Sequence, residues 1–226
     1  MTTETKTGFL RRYELFGALD EAEQDSLNQQ LSVHVFPKGK ILSLPGDNLQ
    51  HLYLLEKGEV KVSKYSADGR EVILEFIKPG EVFGEMALLE GMPWEVVLEV
   101  TKESRIGLLP VQPLQQILFR NVTFSRMITQ LMGRRLSALQ SRYEAVCFEG
   151  APGRIKKFIR EQADKYGRKV GYEIDLLMTL THQDIAKLTI TSRQTVTGVL
   201  SELERKNIIS YNRKRILIRD YRSLLQ

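Results

Sequence analysis

With 226 residues, 42% of them hydrophobic and 27% charged, the chain can fill one large or two small cores. No apolar run of about 18 residues is present to span a membrane, and the N-terminus MTTETKTGFLRR lacks a secretory h-region. A single cysteine, Cys147, excludes an internal disulfide framework and suits a reducing cytoplasm, the expected location. The net charge of +5 is unevenly placed. Residues 1–149 carry 17 Lys/Arg against 20 Asp/Glu, a balance of −3, and residues 150–226 carry 16 against 8, a balance of +8. This predicts two domains, 1–149 and 150–226, the second built to approach a polyanion.

Residues 9–31 read as short helices around Leu15, Phe16, Leu19 and Leu27. Short apolar stretches follow at His34–Phe36, Leu52–Leu55, Val60–Val62, Val72–Ile77, Val96–Val100 and Ile106–Leu109. Their separation by Gly, Pro and Asp at intervals near ten residues predicts an antiparallel roll or barrel. Gly69 permits a hairpin turn, and Gly39, Gly46, Gly58 and Gly80 mark further turns.

After Pro110 and Pro113 the pattern becomes helical and stays so to about Glu149. Met132, Leu136, Leu139, Tyr143 and Val146 recur as a heptad seam, and Phe124, Ile128 and Leu131 extend the apolar face upstream. A helix of roughly 28 residues is about 42 Å long. With Arg134, Arg135, Gln140 and Arg142 narrowing its apolar stripe, it suits pairing with a second copy. Gly150-Ala151-Pro152-Gly153 then breaks the helix, and Pro152 opens the next, whose inner face is Ile155, Phe158, Ile159 and Ala163. Val170, Tyr172, Ile174 and Leu176 alternate as a strand.

Residues 181–207 read as two short helices joined near Thr189–Thr191. Thr181 with Asp184 forms a capping box for the first, and Thr191 or Ser192 caps the second. Val196, Val199, Leu200 and Leu203 take one face, which leaves Arg193, Gln194, Thr197 and Ser201 on the other. These side chains can hydrogen-bond base edges and phosphates in a major groove. Arg193 suits guanine, Gln194 adenine, and Thr197 a thymine methyl. His182 and Ser192, at the helix starts, can reach phosphates. Beyond, a short hairpin carries Arg213, Lys214 and Arg215 at its tip, a wing suited to phosphates.

The order of roll, long helix, glycine hinge and winged helix-turn-helix resembles the CRP/FNR (catabolite activator-like) transcription regulators along nearly the whole chain. The matching residues are Phe36-Pro37-Lys38-Gly39, residues 52–58, Phe83-Gly84-Glu85-Met86-Ala87-Leu88, Gly153-Arg154-Ile155, residues 181–186 and residues 191–196. The resemblance implies an α+β fold: a cyclic-nucleotide-binding-like jelly roll, a dimerisation helix over about 111–149 and a winged helix-turn-helix. It further implies a bacterial homodimer on double-stranded DNA, with RNA polymerase as a candidate partner. Ile190 stands where the family usually has a turn glycine, so an adjusted turn is expected. Gln194 replaces a commonly acidic residue and Gly198 one often arginine, so base preference should differ.

The effector cassette departs further. Gly84, Glu85, Met86 and Ala87 are kept, but Trp94 and Glu95 replace the family's phosphate-binding Arg-Ser/Thr pair, and Leu139 and Gln140 replace small hydroxyl residues facing adenine. Loss of the arginine removes a charge-assisted contact, and Glu95 at 4 Å would add about 4 kcal/mol of repulsion at an effective dielectric of 20. Trp94 is expected to fill the vacated pocket. Cyclic AMP is thus not the expected effector, and the sequence names no other ligand or cofactor. A cyclic-nucleotide-responsive activator with an altered pocket is the alternative. A ligand-binding module without DNA function would have no use for the basic half. An enzyme would need converging acids, bases or nucleophiles. His34, His51 and His182 are isolated, no catalytic or metal cluster is visible, and Cys147 reads as a buried small hydrophobe.

Overall fold

The computed structural model describes residues 8–89, 94–212 and 214–224. The chain forms two compact units, Met1–Leu136 and Ser137–Gln226. The expected hinge does end the long helix, yet the second unit begins earlier, at Ser137. The last turns of that helix bury Ala145 and accept a 3.3 Å hydrogen bond at the Ser141 carbonyl from Lys157 of the following helix.

The first unit is a six-stranded antiparallel roll hung on two long strands, β3 (His51–Tyr65) and β6 (Val97–Pro110), which pair along most of their length. The other strands are β1 (Ser32–Phe36), β2 (Ile41–Ser43), β4 (Glu71–Ile77) and β5 (Val82–Phe83). β1 and β2 pair with β6, whereas β4 and β5 pair with β3. Four of the expected short strands therefore merge into two. The apparent break at Glu56–Gly58 is a set of register shifts between Leu55 and Val60, not a turn. Gly58 takes φ +99° there, and a Cβ would stand 2.1 Å from Ser104 Oγ and 2.5 Å from the Glu103 carbonyl. Only glycine lets the two strands approach so closely.

One core lies inside the roll (Leu55, Val60, Phe83, Leu98, Val100 and Ile106 among others). Another joins Phe9, Leu10 and Phe16 of the N-terminal turns to Leu52, Leu109, Phe124 and Ile128. Between the N-terminal turns and the roll runs α1 (Glu21–Gln30), capped by a box between Asp20 and Glu23. The helical run after Pro110 is interrupted at Asn121, giving α2 (Val111–Arg120) and α3 (Val122–Phe148). Asn121 is the cause: its Oδ1 accepts from the Phe124 amide at 3.0 Å, starting a new helix.

In the second unit, α4 (Ala151–Tyr166) buries Ile155, Phe158, Ile159 and Ala163, and Gly150 precedes its first residue. The single strand expected over 170–176 is a hairpin, β7 (Arg168–Val170) and β8 (Glu173–Leu177), because Gly171 adopts φ +62° between them. Tyr172 is fully exposed at the tip. Next come α5 (His182–Leu188), α6 (Arg193–Arg205), β9 (Ile209–Asn212) and β10 (Arg215–Ile218). The sheet order is β7-β8-β10-β9. Among the described residues no helix is long and apolar enough to cross a membrane.

Glu59 is buried beside the β3–β6 irregularity, where it pairs with Lys78 and Lys102 and accepts a 2.9 Å hydrogen bond from Thr101. Burial pushes its carboxyl up, but the hydrogen bonds and charges of Lys78 and Lys102 outweigh this and hold it below the ordinary 4.5. A depressed folded-state pKa stabilises the protein above pH 4.5, and this contribution is lost as pH falls through the lower value. Glu59→Gln should cost roughly 1–3 kcal/mol near neutrality. In urea unfolding its stability should decline less steeply than the wild type's from about pH 5 to pH 3.

Candidate nucleic-acid interface and effector cleft

The expected capping box of α5 forms: Thr181 Oγ1 accepts from the Asp184 amide at 3.1 Å, and Asp184 accepts from the Thr181 amide at 2.9 Å. Of the two candidate caps for α6, Ser192 is the one used, accepting from the Thr195 amide at 3.0 Å. Val196, Val199, Leu200 and Leu203 are buried. Arg193, Gln194, Thr197, Gly198 and Ser201 are exposed, so the predicted polar face is present. The turn is not adjusted to Ile190. The isoleucine itself takes the left-handed backbone, φ +52°.

His182 does more than stand at a helix start. Its Nδ1 lies 2.9 Å from Thr197 Oγ1, and its ring is 5.9 Å from that of Tyr211. Thr197 gives its one proton to the Arg193 carbonyl at 3.0 Å, so the imidazole Nδ1–H is the donor to Thr197. His182 thereby braces α5 against α6, with only Nε2 left for an outside partner. At the wing, Lys214 is exposed, and Asn212 Oδ1 accepts from its amide at 2.9 Å. Arg215 pairs with Asp175 of the neighbouring strand at 2.8 Å. Arg213 lies outside the described residues.

The roll holds a cleft of about 410 Å³ walled by Val62, Leu74, Phe83, Val96 and Leu98, with Gly84, Glu85 and Met86 on one side. Gly84 has φ +82°, and a Cβ would come within 2.9 Å of the Tyr53 ring, so the strand packing requires glycine here whatever the cleft binds. Glu85 is buried and ion-paired with Arg135 of α3. Arg135 also donates to the Val82 carbonyl at 2.8 Å and lies 3.6 Å from Glu75. Burial alone would lower the guanidinium's pKa, but Glu85 and Glu75 outweigh it and hold the charge in place. Arg135 is the site residue that sequence reasoning missed. In the heptad pattern it is merely a polar flank of the seam.

Two expectations about the pocket are corrected. Trp94 lines the cleft without filling it, and its Nε1 is buried with no hydrogen-bond acceptor among the described residues. Glu95 is exposed at the rim, 2.7 Å from Lys64, so its charge is compensated and solvated. Leu139 and Gln140 are exposed on α3, and Arg135, one helical turn earlier, lines the cleft. Ala87 sits on the far side of the turn, lining a second cleft of about 330 Å³ with Met86 and Trp94.

Along the seam Leu136, Leu139, Tyr143 and Val146 are exposed, but Met132 packs against the first unit's own core. Cys147 is exposed rather than buried, on a turn whose inner side is taken by Ala145. His34 and His51 are not isolated in space: the His51 pKa is lowered by burial and then by His34.

Two family descriptions match this chain, a cyclic nucleotide-binding domain over residues 33–121 and a Crp-like helix-turn-helix domain over residues 153–226. The chain belongs to the CRP/FNR family of transcription regulators. The regulator is 26% identical over 211 residues to a CRP-like cAMP-activated global transcriptional regulator of Mycobacterium tuberculosis, covering 93% of this chain and 94% of the relative. It is also 26% identical over 190 residues to a global nitrogen regulator of Synechococcus elongatus, covering 83% and 86%. In fold it is similar to a CooA mutant from Carboxydothermus hydrogenoformans, with TM-score 0.78, 21% identity and coverage of 100% and 96%. The regulator is thus a DNA-binding protein with a helix-turn-helix domain.

Arg135→Leu removes the partner of a buried carboxylate and should destabilise the regulator by about 3 kcal/mol at neutral pH. Denaturant unfolding at neutral pH should show the loss as a lower midpoint with an unchanged slope.

Proposed function

We propose that this regulator works in the cytoplasm as a homodimer joined along Leu136, Leu139, Tyr143 and Val146, reading two-fold DNA sites with α6. The carrying observation is the exposed row Arg193, Gln194, Thr197 and Ser201 opposite a buried apolar stripe. An exposed leucine, tyrosine and valine stripe on a 27-residue helix supports the dimer, since such a surface is stabilised by burial. Arg193 and Gln194 read bases, and Thr197 offers a methyl to thymine. Ser192, Ser201 and the wing residues Arg213, Lys214 and Arg215 serve phosphates, Arg215 after release from Asp175. His182, whose Nδ1–H is given to Thr197, keeps only an acceptor nitrogen and braces the helices instead of meeting a phosphate. RNA polymerase is a further candidate partner, and the chain has no catalytic role.

Sedimentation should give a dimer at micromolar concentration. Selection from random duplexes should return half-sites about ten base pairs apart or a multiple of that. In that selection Gln194→Ala should relax one position per half-site, a loss of about 1–3 kcal/mol of discrimination. Lys214→Ala should weaken all sequences alike. An unchanged base preference for Gln194→Ala refutes the assignment.

The effector reading is that cyclic AMP is not held in the family's usual manner. Trp94 stands in the place of the phosphate-binding arginine. The two cations lining the cleft, Lys64 and Arg135, are already paired, and three carboxylates (Glu75, Glu85 and Glu95) share the lining. A lost charge-assisted contact of about 1.5–3 kcal/mol lowers affinity by roughly one to two decades. With Glu95 compensated by Lys64, the repulsion expected from sequence adds little to this. Apolar walls and a Trp94 N–H without an acceptor among the described residues favour a neutral ligand bearing a hydrogen-bond acceptor. Titration calorimetry should show no micromolar binding of cyclic AMP or cyclic GMP. Micromolar binding of either, with tighter DNA binding, overturns this reading.

A further inference from the structure

Among the described residues, two that are not glycine take a left-handed backbone, Asn207 and Ile190. Asparagine tolerates that region, but a β-branched side chain is strained in it. Ile190 lies in the turn that launches α6, and it is half-exposed, so packing alone does not impose the conformation. A guanidinium does. Arg154, in the first turn of α4, donates from Nε to the Thr189 carbonyl and from Nη2 to the Ile190 carbonyl, both at 2.8 Å. Its remaining nitrogen, Nη1, donates at 2.8 Å to the Glu149 carbonyl, the residue directly after α3. One rigid plane thus joins the end of α3, the start of α4 and the α5–α6 turn. Lysine could not do the same, since a single ammonium cannot meet three carbonyls in a fixed fork. Lys157 also ties α4 to α3, through the Ser141 carbonyl and Glu149, but it makes neither bond to the turn carbonyls.

We propose that Arg154 is the positioning residue of the DNA-reading helix. By holding the Thr189 and Ile190 carbonyls it keeps Ile190 left-handed and sets the direction in which α6 leaves the turn. Because the third bond goes to Glu149, a displacement of the α3 C-terminus is passed to α6 through the same group. Without the clamp Ile190 relaxes toward an ordinary backbone and the start of α6 turns away from its reading orientation.

The test uses the full-length protein and a duplex selected from a random pool by the wild type. Arg154→Lys and Arg154→Gln are measured alone and combined with Ile190→Gly, since glycine takes this φ without strain. Each single Arg154 variant should bind roughly tenfold more weakly or worse, with the slope of log affinity against log salt unchanged, and Ile190→Gly should restore most of the loss. Without DNA, amide exchange at residues 190–193 should be faster in Arg154→Lys, a variant that keeps the charge if Arg154→Gln does not fold. Binding within twofold of wild type overturns the proposal, as does unchanged exchange. A salt slope reduced by about one per protomer would make Arg154 a phosphate contact instead. An equal loss with and without the Ile190→Gly substitution would show that clamp and strain are unconnected.

Discussion

Every strand of the roll hangs on β3 or β6, so the pairing of these two strands is the constraint on which the first unit depends. Strands of 15 and 14 residues cannot stay straight and also close around a core. They bend at the register shifts between Leu55 and Val60, and there Gly58 leaves room for Ser104, whose Oγ accepts from the Glu59 amide at 3.0 Å. Glu59 next to it is the cost of that bend. A carboxylate forced inside survives because Lys78, Lys102 and Thr101 converge on it.

The same logic governs the cleft. The turn after β5 buries Glu85, and a buried carboxylate demands a cation. Arg135 supplies it from α3, which fixes the helix against the roll through a charge pair, a hydrogen bond to Val82 and the neighbouring Glu75. The cation is spent on the protein's own carboxylates. What is left in the cleft is a mostly apolar space with an indole N–H that has no acceptor among the described residues, which is the basis for proposing a neutral ligand in place of a phosphate.

In the second unit α6, the proposed reading helix, is positioned by groups that do not face outward. The apolar stripe of α6 fixes its rotation, His182 braces it to α5 through Thr197, and Arg154 governs its launch angle from the turn. Rigid support beneath an exposed polar face is what lets a few side chains discriminate bases, because hydrogen-bond recognition tolerates little misplacement.

Local pattern was sufficient for much of this. Period-3.6 spacing of Val196, Val199, Leu200 and Leu203 determined which face of α6 is buried, and the Thr181–Asp184 spacing determined a capping box, since both depend on residues a turn apart. The +8 balance of residues 150–226 and the motif residues determined the partner class and the family. Long-range packing decided the rest. Glu56–Gly58 reads as a break, and only the partner strand β6 shows it to be a bend within one strand. Trp94 reads as a pocket filler, but the size of that space is set by residues from five separate segments. Arg135 reads as a flank of the seam, and Ile190 as a misfit in the turn. Their roles come from Glu85, which lies fifty residues away, and from Arg154, thirty-six residues away. A heptad or a turn motif records neighbours along the chain, whereas a buried charge or an orphaned carbonyl is satisfied by whichever group the fold brings near.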